Sequence, residues 1–382
     1  MNQLVLIFLT AFVLALLFTP VAIKIAPKIG AIDIPKDNRR MHTKAMPRFG
    51  GMAIYIGTIS AMLIFLPLDT KLMGVIAGGT LIFIVGIIDD LKGMPAKVKL
   101  LMQIICACIL FQFSVRISFI NNPFGEGYYF FPWIVSLLVT VIWIVGITNT
   151  INLIDGLDGL AAGVAFIASI SIAYTAFIHG KTEVSMAMLA IAGGALGFLP
   201  FNFNPAKIFM GDAGSLFLGF MLAGLSVISP MKSATMVATV VPVLVLAIPI
   251  FDTAFAILRR LINKRPIMEA DKGHLHHRIM AVGLGQRRTV LMLYGISGVM
   301  GVAAILMSRD LLIESSLLVL IAATFIYVFL TDQNSTRLQL KAVNIKVEEK
   351  KSQRRTARKA GTAVIKKAEK KIEEKSEGQE LA

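Results

Sequence analysis

Four short stretches of this 382-residue chain combine carboxylates, amides, cations and imidazoles at close spacing. Residues 86–90 end in the adjacent pair Asp89 and Asp90, with Lys99 shortly after. Residues 149–160 carry Asn152, Asp155 and Asp158 at intervals of three, which share one face if the segment is helical. Residues 201–215 carry Asn202, Lys207 and Asp212, and residues 271–278 carry His274, His276 and His277, three of the five histidines. Taken singly, each has a plainer reading: a solvated helix end, an Asp-Gly turn, a helix cap followed by small residues, or a solvated histidine loop. Taken together they make a site. Five close carboxylates repel one another, and some pKa values rise unless a cation intervenes. An all-oxygen donor set points to Mg²⁺ or Mn²⁺ rather than zinc. Lys99, Lys207, Arg259, Arg260, Arg265 and the histidines supply positive charge for a phosphate-rich ligand. These are the parts of a metal-dependent phosphoryl or phosphosugar transfer, provided that all four stretches reach one place.

The elements that must bring them there are set by composition. Hydrophobic residues make up 56% of the chain, charged residues 16%, and the mean hydropathy is +0.76, which excludes a single soluble globular enzyme. Eleven apolar runs, centred near residues 14, 58, 80, 107, 141, 169, 192, 221, 245, 298 and 321, are long enough for helices that cross a bilayer, and the weak alternation of a barrel is missing. The expected fold is therefore an all-α polytopic membrane protein with about 11 transmembrane helices. The first run lacks a preceding basic region and a cleavage site, so it reads as a retained span. An odd count places the termini on opposite sides. Loops 24–48, 89–99, 152–159, 201–213 and 258–288, with the tail 331–382, hold 33 of the 38 Lys and Arg residues. The other side holds Lys71, Arg116, Lys181, Lys232 and Arg309. Basic loops stay inside, so the N-terminus is expected outside and the C-terminus in the cytoplasm. All four stretches then fall on the cytoplasmic face. Charges near bilayer depth are costly and usually functional, which favours one shared site over four independent loop ends.

Two further segments are legible. Residues 118–131, with Asn121, Asn122, Pro123 and Gly125, read as an external turn or hairpin. Residues 332–382, with 14 basic and 8 acidic residues, read as a disordered or loosely helical cytoplasmic tail following a catalytic domain over 1–331. Cys106 and Cys108 lie inside an apolar run and read as small core residues, not as a disulfide framework.

At its polar stretches the sequence resembles the polyprenyl-phosphate N-acetylhexosamine-1-phosphate transferases. The resemblance covers about residues 30–290. It is carried by Pro-Arg-Phe-Gly-Gly at 47–51, Asp89-Asp90, Lys99 four before Gln103, Asn152 through Gly159, Asn202, Phe209-Met210-Gly211-Asp212, and His-Leu-His-His at 274–277. It implies transfer of a phosphosugar from a UDP-sugar to undecaprenyl phosphate, with release of UMP, at the bacterial cytoplasmic membrane. Carried over by position, it implies Asp212 as the principal Mg²⁺ ligand with Asp90 beside it, and Asp89 as the group that deprotonates or orients the lipid phosphate. Lys99, Asn152, Asp155, Asp158 and Phe209 resemble the uridine nucleotide pocket, with Phe209 suited to stacking on uracil. Asn202, His274, His276 and His277 resemble contacts to phosphates or sugar. The interrupted histidine run and the eleven spans resemble the GlcNAc branch, which includes initiators of wall teichoic acid synthesis. The branch that transfers phospho-MurNAc-pentapeptide has a contiguous triple histidine and ten spans, and is the alternative. The implied partners are the two substrates and the lipid bilayer, with no nucleic acid, and homodimers occur in the family. A reading from another class is an ion-coupled transporter. Transporter sites sit near the bilayer midplane on broken helices, whereas these acids sit at span ends beside lysines and histidines.

Overall fold

The computed structural model describes residues 2–34, 45–121, 127–228, 243–263, 279–280 and 284–329. The chain divides into two compact units, residues 1–322 and 323–382. The basic tail lies outside the described residues.

Helices dominate. In order they are α1 (Asn2–Ile29), α2 (Gly51–Phe65), α3 (Thr70–Lys92), α4 (Ala96–Gln112), α5 (Trp133–Ile154), α6 (Leu160–Ile178), α7 (Thr182–Asn202), α8 (Gly211–Ile228), α9 (Ala247–Ile262), α10 (Gln286–Ser308) and α11 (Leu312–Phe329). All except α2, α4 and α9 are long and apolar enough to cross a membrane, eight helices among the described residues. The apolar runs expected near 58 and 107 form α2 and α4, of 15 and 17 residues. The run expected near 245 falls partly outside the described residues. The chain is an all-α polytopic membrane protein, with two small antiparallel pairings beside the helices. Strands β1 (Ile32–Asp33) and β2 (Met46–Pro47) pair before α2, and β3 (Phe119–Asn121) pairs with β4 (Tyr128–Phe130) in the hairpin expected from residues 118–131. Cys106 and Cys108 are free thiols.

Small residues set the packing, because in an apolar solvent helices gain most from close backbone approach. Ala11, Ala15, Ala22 and Ala26 form a buried stripe on α1. Against it lie Gly193 and Gly197 of α7 and Gly57 of α2, where any Cβ would overlap the backbone or an alanine methyl of α1. Helix α8 is buried almost throughout, enclosed by α2, α3, α5, α6 and α7. Its first turn meets α3 at Gly86, where a Cβ would strike Ala213 and Asp212, and meets α2 at Gly51 against Gly214. These contacts draw the C-terminal end of α3 onto the N-terminal end of α8, the junction at which the charged residues collect.

Candidate active site at the junction of α3 and α8

Helix α3 runs to Lys92 and is stopped by Gly93, whose φ of 70° lies in the left-handed region that glycine tolerates best. Its last turn carries both aspartates. Asp90 is closed from solvent, with 0% side-chain exposure, and its two oxygens accept the backbone N–H groups of Asp212 (2.8 Å) and Ala213 (2.9 Å). It therefore satisfies two orphan donors of α8 and sets a negative charge at the positive end of that helix. Gly211, at φ 75°, is required here because a Cβ would occupy the space of the Asp90 carboxylate. Asp89 faces the other way: its Oδ1 accepts the Met94 N–H at 2.7 Å, and its Oδ2 is paired with the Lys99 ammonium.

Asp212 joins these groups. Its Oδ2 accepts Arg48 Nη2 at 2.7 Å and lies 3.3 Å from Lys99 Nζ, and its Oδ1 accepts the Asn152 side-chain amide at 2.6 Å. The same amide reaches Ser215 Oγ at 2.8 Å, and that hydroxyl donates to the Gly211 carbonyl at 3.0 Å. Arg48 Nε closes the ring on Asp90 Oδ1 at 3.0 Å. Burial opposes the charge on Arg48, but Asp212, Asp90, Asp33 and Asp155 more than offset it and raise its pKa. Asp155, just past the end of α5, is pushed well above the usual carboxylate range, first by burial and then by Asp212, with Arg48 offsetting part of the rise and Asp90 and Asp158 adding to it. Positive and negative side chains thus interleave around Asp212, whose side chain keeps 14% exposure.

A second polar cluster adjoins the first and is built mainly from neutral groups, with Asp158 and Arg287 as its charged members. Asn202, at the end of α7, accepts the Gly159 N–H at 3.0 Å and donates to the Ile208 carbonyl at 2.9 Å. Asp158 Oδ2 accepts from the Asn204 amide (2.9 Å) and the Ala206 N–H (3.1 Å). Asn204 also donates to Gln286 Oε1 at 3.0 Å, and Tyr294 Oη donates to the Gly159 carbonyl at 2.5 Å. The Arg287 guanidinium lies 5.5 Å from the centre of the Phe203 ring. The loop between α5 and α6, the loop between α7 and α8, and the start of α10 are thereby clamped together.

Comparison with known proteins decides the family. The sequence model of glycosyl transferase family 4 matches residues 72–230. A probable undecaprenyl-phosphate N-acetylglucosaminyl 1-phosphate transferase of Bacillus subtilis is 42% identical over 86% of this chain and 91% of its own length. The chain belongs to the polyprenyl-phosphate hexosamine-1-phosphate transferases. A decaprenyl-phosphate N-acetylglucosaminephosphotransferase of Mycolicibacterium smegmatis is 34% identical over 77% of the chain and 79% of its own length. A phospho-N-acetylmuramoyl-pentapeptide-transferase of Listeria innocua is 31% identical over 76% and 93%. The higher identity places this transferase in the GlcNAc branch.

The transferase brings Asp89, Asp90, Lys99, Asn152 and Asp212 into one ion cluster and ties Asp158 and Asn202 into the neighbouring clamp. Phe209 is half-buried, and its backbone is stitched to the Pro47–Gly50 stretch through Phe209 N–H to Pro47 O (2.8 Å) and Gly50 N–H to Phe209 O (3.0 Å). Lys207 is exposed. His274, His276, His277 and Arg265 lie outside the described residues. Sequence reasoning assigned no role to Arg48, Ser215, Asn204, Gln286 or Tyr294. Arg48 had a signal in the Pro-Arg-Phe-Gly-Gly run, and Ser215 closes the 201–215 stretch, but Tyr294 sits in an apolar run that marks only a span.

Among the described residues no three Asp, Glu, His or Cys side chains converge as a metal cage. Asp90 has both oxygens held by backbone amides of α8 and no side-chain exposure, which suits it to positioning, whereas the partners of Asp212 are side chains and it is not fully closed from solvent. The oxygen donors gathered around Lys99 are the carboxylates of Asp212 and Asp89, with Arg48 and Lys99 balancing the charge that a divalent ion would balance. Mg²⁺ commonly takes one or two carboxylates and completes its shell with water and substrate phosphate. The residues present fit such an ion at Asp212.

Proposed function

We propose that this transferase moves GlcNAc-1-phosphate from UDP-GlcNAc to undecaprenyl phosphate on the cytoplasmic face of the bacterial cell membrane. The products are undecaprenyl-diphospho-GlcNAc and UMP, the first membrane step of a cell-wall polymer, for which we favour teichoic acid. The observation that carries the reading is the Asp212 carboxylate, held by Arg48, Lys99 and Asn152 at the entrance of a buried helix, in a chain 42% identical to a named GlcNAc-1-phosphate transferase.

The reaction is an in-line displacement. An oxygen of the lipid phosphate forms a bond to the β-phosphorus of the donor, the bond from that phosphorus to the bridging oxygen breaks, and its electron pair leaves with UMP. Both substrates are anionic, so positioning and charge neutralisation supply most of the rate. Lys99, paired with both Asp89 and Asp212, holds a phosphate near the carboxylate that orients the attacking lipid. Asn152 and Ser215 fix the direction of Asp212. Asp155 and Phe209 belong to the uridine pocket, and His274, His276 and His277 contact phosphate or sugar. Mg²⁺, or Mn²⁺, held by Asp212 supplies Lewis-acid neutralisation of the diphosphate when bound. Eleven spans with the N-terminus outside agree with the basic loops, and a homodimer agrees with the family habit.

The test is UMP release by purified protein given undecaprenyl phosphate and Mg²⁺, with UDP-GlcNAc or UDP-MurNAc-pentapeptide as donor. UMP from UDP-GlcNAc alone is expected. UMP only from the pentapeptide donor would move the chain to the other branch.

A further inference from the structure

Arg48 enters the ion cluster from a backbone fixed on both sides. Its N–H donates to the Ala31 carbonyl at 2.9 Å, and its neighbours Pro47 and Gly50 bond to Phe209. From this anchored position one guanidinium spans two carboxylates, Nε on Asp90 and Nη2 on Asp212. The two carboxylates differ in what else they do. Asp90 is consumed by the first amides of α8, whereas Asp212 Oδ2 is shared between Arg48 and Lys99, and the Asp212 side chain is not fully closed from solvent. The Arg48 side chain is itself 33% exposed and so has room to turn outward.

A divalent ion and a guanidinium cannot both hold one carboxylate oxygen without strong repulsion, so binding of either weakens the other by the same factor. We propose that Arg48 is a positioning residue that competes with a divalent cation for Asp212 Oδ2, keeping that carboxylate aligned on Asp90 until the cation displaces the guanidinium toward the anionic substrate. The proposal rests on the reading of Asp212 as the cation ligand. It differs from a purely structural role in direction. If Arg48 only braced the junction, its removal would weaken cation binding and turnover together. Competition instead predicts tighter cation binding with slower turnover.

The experiment titrates Mn²⁺ alone, without substrates, into the full-length protein in nanodiscs and counts free Mn²⁺ by electron paramagnetic resonance. Wild type is expected to show a saturable site that Asp212→Asn loses. Arg48→Gln should bind Mn²⁺ about tenfold more tightly, whereas Arg48→Lys, which keeps the charge but not the planar fork, should stay within about threefold of wild type. UMP release should fall in both variants. A second measurement uses wild type only: Mn²⁺ should increase modification of Arg48 by phenylglyoxal several-fold, read by peptide mass spectrometry. Mn²⁺ binding that Asp212→Asn abolishes but Arg48→Gln leaves equal or weaker would overturn the competition and leave the cation reading intact. Unchanged Arg48 modification on adding Mn²⁺ would likewise overturn it. No saturable Mn²⁺ site in wild type would remove the cation reading, and the competition with it.

Discussion

Two adjoining polar clusters in this transferase solve opposite problems. Around Asp212, three carboxylates and two cations are held in pairs that a substrate or metal ion could exchange, and Asp212 and Arg48 both remain partly exposed. Around Asn202, amides, a tyrosine hydroxyl and backbone groups bond to one another, with Asn202 itself buried. Ion pairs near a surface are soft and respond to charge, while buried neutral hydrogen bonds are specific and costly to leave unmade. The first arrangement suits chemistry on phosphates. The second suits holding two loops and the start of α10 in register.

Mutations can sharpen that contrast. The largest effect outside Asp212 is expected for Lys99→Ala, which leaves Asp89 and Asp212 without their shared cation: UMP release should fall about 10²- to 10³-fold. Asp90→Asn should come next and should tell on both readouts. Losing the charge at the α8 amides and at Arg48 should slow turnover about 10-fold or more and cost roughly 1–3 kcal/mol of stability, seen as a lower unfolding temperature in detergent. Asn202→Ala should reverse the balance. It strands the Gly159 N–H and the Ile208 carbonyl, so stability should drop by about 2 kcal/mol while turnover at saturating donor falls only a few-fold. Tyr294→Phe, which removes a single donor to the Gly159 carbonyl, should be mildest, about 1 kcal/mol in thermal denaturation. If Asn202→Ala proved as damaging to catalysis as Lys99→Ala at unchanged stability, the division between the clusters would fail.

The ion cluster was largely legible in the sequence because charge is rare in an apolar chain, so Asp89, Asp90, Lys99 and Asp212 announce themselves at span ends. Their pairing was not legible. Arg48 and Asp212 are 164 residues apart, and only the stitching of the 47–51 stretch to Phe209 and Met210 brings them together. The resemblance implied Asp90 as a metal ligand beside Asp212, and nothing in an Asp-Asp pair tells which member will cap a neighbouring helix. The geometry separates them: Asp90 turns to the α8 amides and Asp89 to Met94 and Lys99. In the clamp, the substrate roles of Asn202 and Asp158 came from the family resemblance alone, and spacing could not show that their described bonds run to backbone and to Asn204. Gly159 and Tyr294 could not be matched from spacing, because that contact depends on α10 packing against α6. Helix existence was readable from apolar runs, whereas length was less so: α2 and α4 fall short of the runs from which they were inferred.

The most direct test of the account is Mg²⁺-dependent UMP release from UDP-GlcNAc and undecaprenyl phosphate, measured for wild type and Asp212→Asn in the same proteoliposomes. Asp212→Asn is expected to lose turnover by about 10³-fold or more while its unfolding temperature stays near that of wild type. Release close to the wild-type rate would contradict it.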